Sequence, residues 1–330
     1  MNVLNKVKHI GLLVMCLCVF GSSACSKTKK QKIKVLIIDG QNNHVVWPKS
    51  TIMMKQYLEE TGMFQVDISR TQFLNKSEKF KEWLVLAGAP AGVEGKSKTD
   101  PNFSPDFSKY DVVISNFGWQ AAPWSDKTQT EFESYVKNGG GFVSVHAADN
   151  SFPEWKAYNK MIGIGGWGNR NEKDGPYLYV DKNNQPKKDY SKGPAGKHGK
   201  REAFLVTTFN KEHPVTRDMP TTWMHASDEC YAFLRGPAEN ITILATAVSS
   251  IKAPELEQKE PVAMAIDYGK GRVFHTTLGH DTTSFECVGF ITLLKRGVEW
   301  AATGEVSQTE ISEDFPSANE VSIRNFNYKK

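Results

Sequence analysis

Residues 33–44 read Ile-Lys-Val-Leu-Ile-Ile-Asp-Gly-Gln-Asn-Asn-His. Their first half, 33–38, is the near-continuous apolar run of a strand buried on both faces. Asp39, Gly40, Gln41, Asn42, Asn43 and His44 follow as a polar turn. Working outward, residues 49–60 predict a helix, with Ile52, Met53 and Tyr57 at helical spacing, and Gly62 stops it. Residues 64–69 predict a second strand. Residues 88–106, rich in Gly, Pro, Lys and Ser, predict an exposed loop. A third strand falls at 111–115. Ser125 caps a helix running to about Val136, with Asp126 complementing the dipole of its first turn. Gly139, Gly140 and Gly141 end that helix, and a fourth strand, 142–145, ends at His146. A β-α-β-α-β succession of this kind implies an α/β fold, a doubly wound, mainly parallel sheet of flavodoxin-like type.

The second half is less regular. Residues 163–203, rich in Gly, Asn and Lys, read as an inserted loop-rich lobe with a hairpin at Asn183-Asn184. Apolar strands follow at 241–246, 262–266 and 273–277, the last two joined by a tight turn at 268–271. A closing helix spans 285–302, and 305–330 is a polar tail that can lie over the domain. The main domain is therefore 33–304.

The 330 residues are 39% hydrophobic and 24% charged, with a formal net charge of +4, ordinary values for a globular protein. That charge is too small to argue for nucleic acid. The basic stretch 27–32 reads as a solvated tether rather than a binding patch. At the N-terminus, Lys6 and Lys8 precede an apolar stretch, 10–20, too short to anchor stably in a bilayer. Gly21, Ser22, Ser23 and Ala24 then lead to Cys25, a junction resembling a lipobox, with Ser22 where Leu is usual. We expect 1–24 to be a signal peptide, Cys25 to carry lipid, and 25–32 to tether the domain on the periplasmic side of a membrane. Of five cysteines, only Cys230 and Cys287 then remain in the domain, without CxxC spacing. Buried thiols are preferred over a disulfide.

In open parallel sheets ligands sit outside the carboxyl ends of the strands. That rule gathers Asp39, Gln41, Asn42, Asn43 and His44 after the first strand and Asn116 to Trp119 after the third. His146, Asp149 and Asn150 follow the fourth, and His280 and Asp281 the last. Each histidine alone has a plain structural reading, a hydrogen-bonded group fixing a turn; three on one rim weaken it. His146 and His280 are candidates for general acid and base. With Asp39 or Glu229, His44, His146 and His280 are alternatively a candidate set for a divalent metal such as zinc. Asp228 and Glu229 point to opposite faces of an extended chain, and Glu229 is taken as the one facing the crevice. Trp47, Trp119, Trp124, Trp155, Trp167 and Trp223 divide between core packing and flat surfaces suited to sugar rings.

Four segments, in this order, resemble the ThuA-like (trehalose-utilisation) family: 139–148 (GGGFVSVHAA), 213–216 (HPVT), 228–231 (DECY) and 271–280 (GRVFHTTLGH). The resemblance implies a class I glutamine amidotransferase-like fold over about 33–304. True amidotransferases carry a nucleophilic Cys on the elbow after a central strand. Here that elbow holds Val145-His146-Ala147, and no Gly-x-Ser-x-Gly replaces it. Glutaminase chemistry is therefore not expected. Many relatives place a His soon after the Gly-Gly matching Gly165-Gly166. Here Asn169-Arg170 stand there, and His198 is the candidate to take that role. The resemblance further implies a small-molecule carbohydrate partner and disaccharide catabolism, with 3-keto-glycosides among the substrates. Asn43, His44, Trp119, Asp149 and His198 are then substrate-binding candidates, beside catalytic His146, His280 and Glu229. A non-catalytic sugar-binding lipoprotein is the alternative.

Overall fold

The computed structural model describes residues 31–253 and 257–329. Residues 1–30, with the expected signal peptide, Cys25 and most of the expected tether, lie outside the described residues. Lys32–Lys330 form one compact unit. Its strands are β1 (Ile33–Gln41), β2 (Phe64–Asn75), β3 (Val93–Glu94), β4 (Val112–Ser115), β5 (Gly141–Val145), β6 (Tyr177–Val180), β7 (Pro186–Asp189), β8 (Lys197–His198), β9 (Glu202–Thr208), β10 (Thr222–Asp228), β11 (Tyr231–Ala232), β12 (Ile241–Ala247), β13 (Glu260–Tyr268) and β14 (Gly271–Thr276). Its α-helices are α1 (Trp47–Glu59), α2 (Asp126–Lys137), α3 (Lys156–Ile162), α4 (Thr282–Glu286) and α5 (Val288–Thr303).

Ten strands form one sheet in the order β10-β9-β12-β13-β14-β5-β4-β1-β2-β3. From β3 to β14 neighbours run parallel; from β14 outward to β10 they alternate antiparallel. The doubly wound α/β sheet read from the sequence is present, and β1 shows why. Val35 and Ile37 pack on one face with Met53 and Tyr57 of α1 and Leu293 and Val298 of α5. Leu36 and Ile38 pack on the other with Phe132 of α2 and Tyr158 of α3. A strand with core on both sides has no polar face to show.

The departures from expectation are local. Pro48 sits in the first turn of α1, so the helix starts at Trp47. A 3₁₀ segment, Glu78–Ala87, follows β2, which itself runs on to Asn75. The closing helix is two pieces broken at Cys287, with Asp281 capping α4 through Thr283 and Ser284. β9 and β10 carry the antiparallel extension and were not anticipated. The hairpin at Asn183-Asn184 is β6–β7, closed by Asn184 at φ 57°. The tail returns over the domain: Val288 N–H donates to Ser322 and Arg324 N–H to Glu286, each to the main-chain oxygen.

A histidine-glutamate site at the strand ends

Four segments distant in sequence converge where β1, β5 and β14 end. His44 follows β1, His146 follows β5, Glu229 follows β10 and His280 follows β14. One donor atom from each lies within 4.8 Å of all the others. Ring centroids are 4.7 Å apart for His44–His146, 4.5 Å for His44–His280 and 5.5 Å for His146–His280. The three histidines are those the strand-end argument singled out, and Glu229 is the carboxylate that the Asp228-Glu229 alternation assigned to the crevice.

Each member is held from behind. His146 occupies the elbow at φ 47°, a left-handed conformation costly for a residue with a Cβ. Its Nδ1–H donates to the Thr277 carbonyl at 2.6 Å, which leaves Nε2 as the acceptor. Tyr231 Oη donates to that Nε2 at 2.9 Å. His44 Nδ1 lies 3.3 Å from Asn42 Oδ1, and the Asn42 amide is itself anchored on the Asn116 and Phe117 carbonyls. His280 Nδ1 is 3.0 Å from Glu229 Oε2, yet this nitrogen is shielded from solvent and makes no hydrogen bond. The separation is short but the geometry is not that of a donor aimed at a lone pair.

Asp228 organises the floor. It accepts the backbone N–H of Gly279 at 2.8 Å, of His280 at 3.0 Å and of Glu229 at 2.7 Å. Its other partner is His225 Nε2, at 2.8 Å. Adjacent side chains do face opposite ways: Asp228 is fully buried beneath the loop, and Glu229 looks into the crevice.

Burial, then repulsion from His146 and His280, holds His44 well below the ordinary imidazole range. Burial likewise lowers His146, more than the nearby Asp228 can offset. Glu229 would be raised by burial, but His280 pulls its carboxyl below the usual range. Lowered His44 and His146 thus favour free lone pairs beside an ionised Glu229, and with His280 they make a donor set able to hold a divalent metal or to transfer protons.

Beside it opens a cavity of about 890 Å³ lined by Trp119, Phe152, Trp155, Trp167, Asn169 and Gly196 among others. Two of its walls are linked to the histidine cluster through one intervening residue each. The Trp167 ring stands 4.8 Å from that of Tyr231, which is 4.5 Å from that of His146. Trp119 N–H donates to Asn43 Oδ1 at 2.8 Å, next to His44. Gly196 is required here, since a Cβ would come within 2.7 Å of the Trp167 ring. His198, on β8, lies at the rim with Nδ1 3.6 Å from Glu229 Oε1.

Some expected residues fall elsewhere. Asp149 is fully buried and faces His275 Nε2 at 3.2 Å, so it does not line the crevice. Asp39 is spent on Arg70 and Thr51 inside the fold, which leaves Glu229 as the carboxylate of the cluster. Arg170 is buried and ties the carbonyls of Ser151 and Gly166 together. Trp47, Trp124 and Trp223 are core residues. Cys230 and Cys287 are unpaired and buried, and burial pushes the Cys230 thiol up. Tyr231, which the sequence places in the DECY segment without pointing to a role, is a member of the site. Its spacing from Glu229 was the signal: residues two apart share a face of an extended chain.

The ThuA family model, described as trehalose utilisation, matches residues 86–301. The chain belongs to the ThuA family. A solved ThuA-like protein from Parabacteroides merdae is 38% identical, with a TM-score of 0.77 over 89% of this chain and 98% of its own. Another, from Bacteroides uniformis, is 17% identical with a TM-score of 0.51 over 86% and 96%. The second likeness speaks to the fold alone. Among curated proteins none matches this ThuA-family chain.

Proposed function

We propose that this ThuA-family protein is an exported, lipid-anchored enzyme of disaccharide or glycoside catabolism, with 3-keto-glycosides among its substrates. It works by histidine-carboxylate proton transfer. The observation that carries the reading is that Tyr231, ring to ring with both His146 and Trp167, links the His44–His146–Glu229–His280 cluster to the wall of an aromatic cavity of about 890 Å³, large enough for a sugar unit. Trp119 and Trp167 offer flat surfaces to the apolar faces of sugar rings. His280, against ionised Glu229, serves as acid; neutral His146, fixed in one tautomer by Thr277, serves as base. The family description, the N-terminal lipobox-like junction and the absence of a thiol at the elbow all accord with this reading.

Turnover of glucosides and 3-keto-glucosides by the purified protein tests it, together with sugar affinity by calorimetry. His280→Gln is expected to keep sugar affinity and lose about 10²–10⁴-fold in rate. Affinity without any turnover in the wild type would instead establish a sugar-binding lipoprotein. For export, cells fed radioactive fatty acid should label the wild type and not Cys25→Ala.

A further inference from the structure

We infer that His44, His146, Glu229 and His280 together bind one divalent cation, zinc by donor chemistry, in competition with the Tyr231 hydroxyl. The inference builds on the reading of this crevice as the reacting site, but rests on its geometry and not on the sugar; with the ion bound, His146 and His280 give their lone pairs to it, so their proton transfer belongs to the metal-free protein. Three imidazole nitrogens and one carboxylate oxygen within 4.8 Å of one another are a donor set and a spacing that zinc accepts. Proton transfer needs two of these groups. A third imidazole, repelled by the others and largely buried with them, gains nothing unless a cation is shared.

The surroundings point the same way. Metal-ligating histidines commonly give their second ring N–H to a carbonyl or carboxylate, which fixes the tautomer and aims the free lone pair. His146 does so through Thr277, and His44 through Asn42, which two main-chain carbonyls anchor in turn. Asp228 pins the backbone of both Glu229 and His280, so the loop carrying two ligands is preset. His280 Nδ1 is the unmet group: shielded from solvent, 3.0 Å from a carboxylate oxygen, with no hydrogen bond. Two donor atoms facing one another in this way are explained by an acceptor of both lone pairs.

Tyr231 adds a consequence. Because His146 Nδ1 donates to Thr277, its only lone pair is on Nε2, and the Tyr231 hydroxyl occupies it at 2.9 Å. The ion and this hydrogen bond exclude each other. Metal binding therefore releases a phenol hydroxyl into the crevice beside the aromatic wall.

The test uses the full chain in detergent, stripped with chelator and titrated with Zn²⁺ against a chromophoric competitor. One equivalent per chain is expected. His280→Ala and Glu229→Gln should weaken binding by at least about 100-fold, beyond the roughly 10–100-fold typical of an outer contact. Tyr231→Phe should bind zinc at least as tightly as the wild type, whereas His213→Asn, outside the site, should leave affinity unchanged. X-ray absorption of the zinc-loaded wild type should show three imidazoles, a reading that needs no variant to fold. Failure of the folded wild type to bind a stoichiometric ion overturns the inference, as does affinity indifferent to both ligand substitutions. Weaker binding in Tyr231→Phe overturns the competition. Glycoside turnover by protein that binds no stoichiometric zinc overturns the metal and leaves the enzyme standing, and stoichiometric zinc with no action on sugars does the reverse.

Discussion

At the scale of single residues, Asp228 bears more than any side chain that faces the crevice. It is fully buried and shares its carboxylate among three backbone N–H groups and His225. Burial opposes charge on His225, but Cys287 and Asp228 overcome it and raise the imidazole to about 10. The folded value lies above the unfolded one, so the stability from this pair is complete below about 6.5 and is lost as pH rises through about 10. Asp228→Ala removes one partner of a buried ion pair and strands the N–H groups of the 279–280 turn. We expect a loss of about 3–5 kcal/mol in urea unfolding. A loss under about 1 kcal/mol would show that water or a neighbour replaces the carboxylate. Little of this was legible in the sequence. The Asp228-Glu229 pair and its opposed faces could be read, but the target of the buried member lies across the fold, at Gly279 and His280.

At the scale of elements, legibility followed burial. β1, β4 and β5 are buried on both faces, so their apolar runs stand out, and the turns after them gave His44 and His146. β9 shows Glu202, Ala203 and Leu205 to solvent and so lacks a continuous run. β10 mixes buried Trp223, His225 and Asp228 with half-buried positions, and it passed as loop. The tail is legible only as polar, because its docking combines scattered backbone bonds with a few isolated side chains that form no periodic pattern. Within it Phe326 packs 5.7 Å from the Tyr57 ring and 5.8 Å from that of Trp83, over α1. Gln56 donates to the Asn327 carbonyl and accepts from Lys329 N–H. Phe326→Ala should therefore cost up to ~1.5–3 kcal/mol, the value of burying such a ring. The measurement is the urea midpoint at unchanged slope, and a neutral result would mean that the tail lies on the domain without stabilising it.

At the scale of the molecule, the site sits at the seam of two kinds of sheet. The parallel half supplies His44, His146 and His280 by the strand-end rule, which is why they were legible. Glu229 arrives from the far antiparallel edge, where no such rule applies, and only a family-like motif suggested it. Joining the halves leaves the molecule sensitive to acid in two separable windows. His213 packs on Trp300 and is pushed down to about 4, burial being the main cause. Between 6.5 and about 4 the unfolded chain takes up a proton that folded His213 refuses, so stability falls as pH falls across that window. His44 and His146, also lowered, add to it. Glu60 would be raised by burial, but Arg324, Lys329 and Gln56 bring it to about 2. Its contribution is intact above 4.5 and is lost as pH falls from there through about 2. Melting temperature measured from pH 7 to pH 2 should therefore drop in two stages. His213→Asn should flatten part of the upper stage and leave the lower one unchanged. Glu60→Gln should flatten the lower stage only, because it releases the tail from α1 without touching the histidines. Variants that alter both stages equally, or neither, would show that acid acts on the chain through its overall charge and not through these two groups.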